Sequence, residues 1–125
     1  MKSVLIVDEE PLIRSGLSKA LRDIAVVDTA SSGKQASSRI SGCFYDVCIL
    51  ALFLPDVSGL DVMREIKKKS PETKVVIMTA YADEATRLII EQEAYRFVEK
   101  PMDLSEIREI VGSRSIGASL YKHLF

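Results

Sequence analysis

At 125 residues, with 47% hydrophobic and 28% charged residues, the chain has room for one soluble globular domain and little more. Its formal net charge of −1 supplies no field to gather nucleic acid or an anionic membrane, so this segment is not expected to contact either. No apolar run approaches the roughly 20 residues that span a bilayer. The N-terminal apolar stretch is too short for a secretory leader and ends in acids, so the chain reads as cytoplasmic.

In chain order, residues 3–7 (SVLIV) form a continuous apolar run that stops abruptly at Asp8. Residues 11–24 place Leu12, Leu17, Leu21 and Ile24 at helical spacing, with Pro11 at a tolerated first-turn position. Residues 25–27 are a weak strand and residues 31–40 a polar helix. VCIL at 47–50 is the next buried strand. Residues 58–69 set Leu60, Val62, Met63 and Ile66 on one helical face, and Lys67–Lys69 complement the dipole at its end. VVIM at 75–78 is the fourth strand. Residues 83–94, carrying Ala85, Leu88, Ile89 and Ala94, are the fourth helix. Residues 95–98 form a short fifth strand. The helix at 104–111 follows Asp103 as N-cap and repeats Leu104, Ile107, Ile110 and Val111.

Unbroken β-rich runs suit strands covered on both faces. Five strand–helix repeats predict a doubly wound α/β sheet whose functional end lies beyond the carboxyl ends of the strands. That end carries Asp8, residue 51, Thr79 and Lys100. Residues 112–125 break the pattern with glycine and serine and read as a C-terminal extension or linker. Leu120, Tyr121, Leu124 and Phe125 are apolar enough to dock. Cys43 and Cys48 form no CxxC pair, and His123 stands alone, so no zinc site is expected.

Each strand end is ordinary by itself. Asp8, Glu9 and Glu10 suit either a helix N-terminus or a hard cation. Pro55 and Gly59 in FLPDVSG mark a turn, with Gly59 expected to permit unusual backbone angles. Thr79–Ala80 would cap a loop. Lys100–Pro101 invites a constrained, potentially cis, peptide.

Taken in order, the acidic pair, LPDVSG, TA and KP resemble the receiver domain of bacterial response regulators over roughly residues 2–111. The resemblance implies a five-stranded, flavodoxin-like (βα)5 fold that accepts phosphate from a sensor histidine kinase in a two-component phosphorelay. It implies that Asp8, Glu9 and the backbone carbonyl of Phe53 hold Mg²⁺. Thr79, Lys100 and the aromatic Phe97 would sense the phosphoryl group. The chain would itself be no enzyme. The face made by the fourth helix, fifth strand and fifth helix would dimerise or dock a partner, presenting Tyr95 or Arg96 and Glu99. A C-terminal effector domain, as in transcriptional regulators, could follow.

One departure is decisive. Counting back four residues from Pro55 and eight from Gly59 reaches the expected phosphoacceptor, and it is Ala51. A methyl group cannot attack phosphorus, and an anionic metal ligand is lost with the carboxylate, so Mg²⁺ should bind weakly or not at all. Lys100 should then turn to Asp8 or Glu9. Glu9, in place of the commoner aspartate, and Glu93, where glycine is frequent, are lesser departures. Asp56 is a distant substitute acceptor, and Asp46 lies at the wrong end of its strand. The otherwise intact motif favours an engineered or recent aspartate-to-alanine change over a natural pseudo-receiver acting as a phosphate-independent interaction module. A metal-dependent phosphatase using Asp8 is the remaining reading.

Overall fold

The computed structural model describes residues 1–112; the expectations for the tail beyond, including those for Leu120, Tyr121, His123, Leu124 and Phe125, lie outside the described residues. Its elements alternate strictly: β1 (Lys2–Val7), α1 (Pro11–Leu21), β2 (Ala25–Ala30), α2 (Gly33–Gly42), β3 (Val47–Ala51), α3 (Gly59–Lys69), β4 (Lys74–Thr79), α4 (Glu84–Glu93), β5 (Arg96–Glu99) and α5 (Leu104–Gly112). The strands form one parallel sheet in the order β2-β1-β3-β4-β5. This is the doubly wound, flavodoxin-like (βα)5 arrangement expected.

The side-chain period of two explains why the central strands are apolar throughout. Val4, Ile6, Val47, Ile49, Val76 and Met78 point to one face and pack on α1 and α5 through Leu17, Leu21, Ile107, Ile110 and Val111. Leu5, Val7, Cys48, Leu50, Val75 and Ile77 point to the other and meet Val62, Met63, Ile66 and Ile90 from α3 and α4. Each fully buried Leu or Ile contributes about 1.5–3 kcal/mol. Burial pushes the Cys48 thiol up to about 12, so it behaves as a small apolar side chain, whereas Cys43 is exposed.

Three expected helix faces are corrected. Leu12 is 86% exposed, and Ile13 packs on the core in its place. In α4, Ala85 and Leu88 face outward while Ile90 is fully buried. Leu104 is exposed at the start of α5. Helix α1 also stops at Leu21, before Ile24, where Arg108 Nη1 donates to Ala20 O (2.6 Å) and to Asp23 Oδ1 (2.7 Å). Strand β2 runs three residues further than its apolar signal, because Asp28 and Thr29 lie on an edge strand and Tyr45 Oη donates to Asp28 at 2.7 Å.

Candidate functional site

Register carries the site residues to one end of the sheet. Val7 pairs with Leu50, Ala51 with Met78, and Thr79 with Glu99. Asp8 and Lys100, the residues that follow β1 and β5, therefore emerge beside Ala51 and Thr79. Together with Glu9, Glu10, Phe53, Met78, Ala80 and Tyr81 they line a pocket of about 240 Å³.

Asp8 is buried at the centre of this pocket. Its Oδ1 accepts the Glu10 N–H at 2.9 Å, and its Oδ2 accepts Lys100 Nζ at 2.8 Å. Lys100 thus turns to Asp8, one of the two acids expected, and has a second, looser acid neighbour in Glu10 at 3.9 Å. The Lys100 N–H donates to Thr79 O at 3.0 Å, which ties the loop after β5 to β4, and the Lys100–Pro101 peptide is cis. Arg14 Nη1 donates to the carbonyls of Asp8 (2.8 Å) and Glu9 (3.0 Å), fixing the loop before α1. Sequence reasoning missed Arg14; its only signal was a basic residue one turn after three acids.

Ala51 closes β3 with its methyl group buried on the α1/α5 side. Thr79 is buried too, and its hydroxyl donates to Tyr81 O (2.8 Å) while accepting from Tyr81 N (3.2 Å). Phe97 is half-buried on the α4 side, with the Arg87 guanidinium 5.0 Å from its ring centroid. Phe53 is 66% exposed and makes a single antiparallel bridge to Ser58. Gly59 is required for space rather than for the unusual dihedrals expected. No described glycine has positive φ, and a Cβ at Gly59 would overlap the Ala51 carbonyl oxygen.

Two other acids lie apart from the pocket. Asp56 reaches across to α2, its oxygens accepting the N–H groups of Gly33 (2.8 Å) and Lys34 (2.9 Å). Those bonds hold its carboxyl below the usual carboxylate range. Asp46 precedes β3 at the opposite end of the sheet, where Oδ2 accepts Ser3 N at 2.8 Å.

The donor set fits a divalent cation poorly as arranged. Both Asp8 oxygens are engaged, Glu9 and Glu10 are exposed, and Ala51 has no oxygen to give. Among the described residues, no group of three or more His, Cys, Asp and Glu side chains is placed to hold a metal. Likewise, no helix among them is long and apolar enough to cross a membrane.

The family "Response regulator receiver domain" matches residues 4–112. The response regulator protein PilR of Pseudomonas aeruginosa is 36% identical over 115 residues, covering 90% of this chain and 26% of that protein. The response regulator protein VraR of Staphylococcus epidermidis is 29% identical over 123 residues, covering 95% and 59%. The chain thus spans between about a quarter and three-fifths of these relatives' length. Among solved structures, the response regulator protein TrrA of Thermotoga maritima, in complex with Mg²⁺-BeF, superposes with a TM-score of 0.79 at 35% identity. That match covers 89% of this chain and 96% of TrrA. The strand-end residues, the sheet order and this match agree: the chain belongs to the response regulator receiver domain family of two-component signal transduction.

Proposed function

We propose that this receiver has Ala51 at its phosphoacceptor position and therefore accepts no phosphoryl group there, binding partners rather than acting as an enzyme. The observation that carries the reading is that Ala51 is the last residue of β3 and shares one pocket with Asp8, Thr79 and Lys100. A methyl group offers no lone pair to phosphorus. Asp56 is no ready substitute, since both its oxygens are committed to the start of α2.

Mg²⁺ would enter this pocket with Asp8, Glu9 and the Phe53 carbonyl as ligands, and the similar TrrA structure is itself a complex with Mg²⁺-BeF. Without a carboxylate at residue 51 it binds weakly or not at all. Thr79, Phe97 and Lys100 are the sensing residues, and two of them are already satisfied internally: Lys100 by Asp8, Thr79 by its own loop. The relatives, as response regulators, support a sensor histidine kinase as partner, and their greater length supports a further, effector domain, for which transcription regulation is the proposed output. The α4–β5–α5 face is the proposed surface for a homodimer or docked partner. Intact Asp8, Thr79 and Lys100 favour an engineered or recent change at Ala51 over a long-standing pseudo-receiver.

The test is incubation of the chain and of Ala51→Asp with a small phosphodonor and Mg²⁺. Only Ala51→Asp should gain an acid-stable, base-labile phosphate. Equal labelling of the unsubstituted chain would place the acceptor elsewhere, and no labelling of either would mean that more than position 51 is broken.

A further inference from the structure

Beside the strand-end pocket lies a larger groove of about 400 Å³, between the loop after β3 and the start of α4. Leu52, Leu54, Pro55, Val57, Leu60 and Ala82 make its lining mostly apolar. Phe53 and Tyr81 line both cavities, so the two adjoin at these residues, and Tyr81 is 70% exposed. Aromatic faces held open to solvent beside a concave apolar surface are the usual makings of a protein contact.

The charge here is one-sided. Asp56 and Asp83 line the groove with no basic residue among them. Asp8, Glu9 and Glu10 line the adjoining pocket against Lys100, which is already paired with Asp8, while Arg14 is engaged by the carbonyls of Asp8 and Glu9. The whole chain nearly balances 18 acids with 17 bases, so this excess belongs to the face and not to the composition. The two groove carboxylates are also fixed in place: Asp56 by Gly33 and Lys34, Asp83 by the Thr86 N–H at 2.7 Å. Backbone N–H bonds keep both below the usual carboxylate range, so they stay anionic near neutral pH.

An apolar groove rimmed by fixed anions and exposed rings favours an apolar side chain flanked by cations. The side chain leaves water while the cations meet carboxylates and ring faces. A phosphorylated or acidic segment would meet repulsion instead. The geometry points to this groove as a docking site for a basic amphipathic peptide segment of a partner protein, its apolar anchor against Val57 and Tyr81 and its Arg or Lys against Asp56 and Asp83. The site meets the α4–β5–α5 face only at the start of α4, through Asp83 and Thr86, and does not depend on what stands at position 51.

The experiment titrates the full chain with a short labelled peptide alternating arginine and leucine, and with the same peptide carrying glutamate for arginine. Amide ¹H–¹⁵N spectra locate the contact. Shifts should gather at Leu54, Val57, Tyr81 and Ala82, binding should weaken as salt rises, and the glutamate peptide should not bind. Tyr81→Ser and Asp83→Asn should each weaken binding by about tenfold. Asn at 83 keeps an oxygen for the Thr86 N–H, so α4 retains its cap, and circular dichroism checks both variants. Shifts gathered elsewhere, equal binding of the glutamate peptide, unchanged affinity in both variants, or no binding at millimolar peptide would each overturn the proposal. So would concentration-dependent self-association abolished by Tyr81→Ser, which would make the occupant a second copy.

Discussion

Lys100 Nζ lies 2.8 Å from Asp8 Oδ2, an ion pair joining the ends of β1 and β5 across 92 residues of sequence. The carboxylate is almost fully enclosed and the ammonium largely so, which makes the pair asymmetric to removal. Lys100→Met leaves a buried charge with one remaining hydrogen bond, from Glu10 N, and should cost about 3 kcal/mol. Asp8→Asn should cost less, about 1 kcal/mol, because Lys100 can turn to Glu10 and solvent. The double variant should lose less than the sum. Urea denaturation of all four proteins measures the coupling, and strict additivity would show that the pair contributes none.

The same pocket predicts how Mg²⁺ will act. Restoring a carboxylate with Ala51→Asp puts a second anion near Asp8, where repulsion is relieved by a bound cation. At a concentration of roughly 100 times its Kd, Mg²⁺ should then stabilise Ala51→Asp by about 2.7 kcal/mol. The unsubstituted chain should melt at nearly the same temperature with or without the ion. Equal stabilisation of both proteins would show that residue 51 is not a ligand.

Gly59 reads as a turn residue in sequence and acts as a spacer in structure. A Cβ there meets the Ala51 carbonyl and Leu52 Cα, backbone atoms that no rotamer change can move aside. Gly59 N also donates to Leu52 O at 2.7 Å, so the approach cannot simply open. Gly59→Ala should destabilise by about 1–3 kcal/mol. Gly16, with open space at its Cβ inside α1, is the control: Gly16→Ala should stabilise by about 0.5–1 kcal/mol. Thermal melts of the two variants moving in the same direction would defeat this account.

Asp56 ties the loop after β3 to α2, and the tie depends on its charge. The N–H groups of Gly33 and Lys34 lower its folded pKa below the unfolded value of about 3.9. A depressed carboxyl contributes stability that is fully present above the unfolded pKa and is lost as pH falls through the folded one. Asp23, through its hydrogen bond from Arg108, and Asp83, through the Thr86 N–H, act in the same direction. Urea midpoints followed from neutral pH down into strong acid should therefore fall for the parent protein. They should fall less steeply for Asp56→Asn, which starts lower. Parallel curves would mean that the tie contributes nothing.

How far the sequence reaches can be judged residue by residue. The unbroken apolar strands announced a sheet covered on both faces, and their ends announced Asp8, Ala51, Thr79 and Lys100 as neighbours, because parallel register leaves little freedom there. Helix phase was harder. Leu12 and Leu88 satisfy helical spacing as well as Ile13 and Ile90 do, and only the position of the sheet decides which side is buried. The extension of β2 through Asp28 and Thr29 was hidden because an edge strand tolerates polar residues. Arg108, with its clasp on Asp23, was invisible because a surface arginine carries no sequence mark of its distant partner, and Arg14 offered only its place one turn after three acids.

The α4–β5–α5 face yields the last prediction, and its two charges are not equivalent. Glu99 Oε1 lies 3.1 Å from Arg87, whose guanidinium also covers the Phe97 ring. Reversing Glu99 therefore disturbs an internal ion pair and the aromatic beneath it, and a change in association could follow from either. Arg96 is exposed at the start of β5, with its guanidinium 5.8 Å from the Tyr95 ring centroid. Arg96→Glu should change stability by no more than about 0.5 kcal/mol while weakening association through this face by about tenfold. Glu99→Lys should lower both stability and association, and Arg87→Glu with Glu99→Lys should recover the internal pair. Sedimentation velocity beside thermal melts separates the two effects. Unchanged sedimentation of Arg96→Glu would remove this face as the contact, whatever Glu99→Lys does.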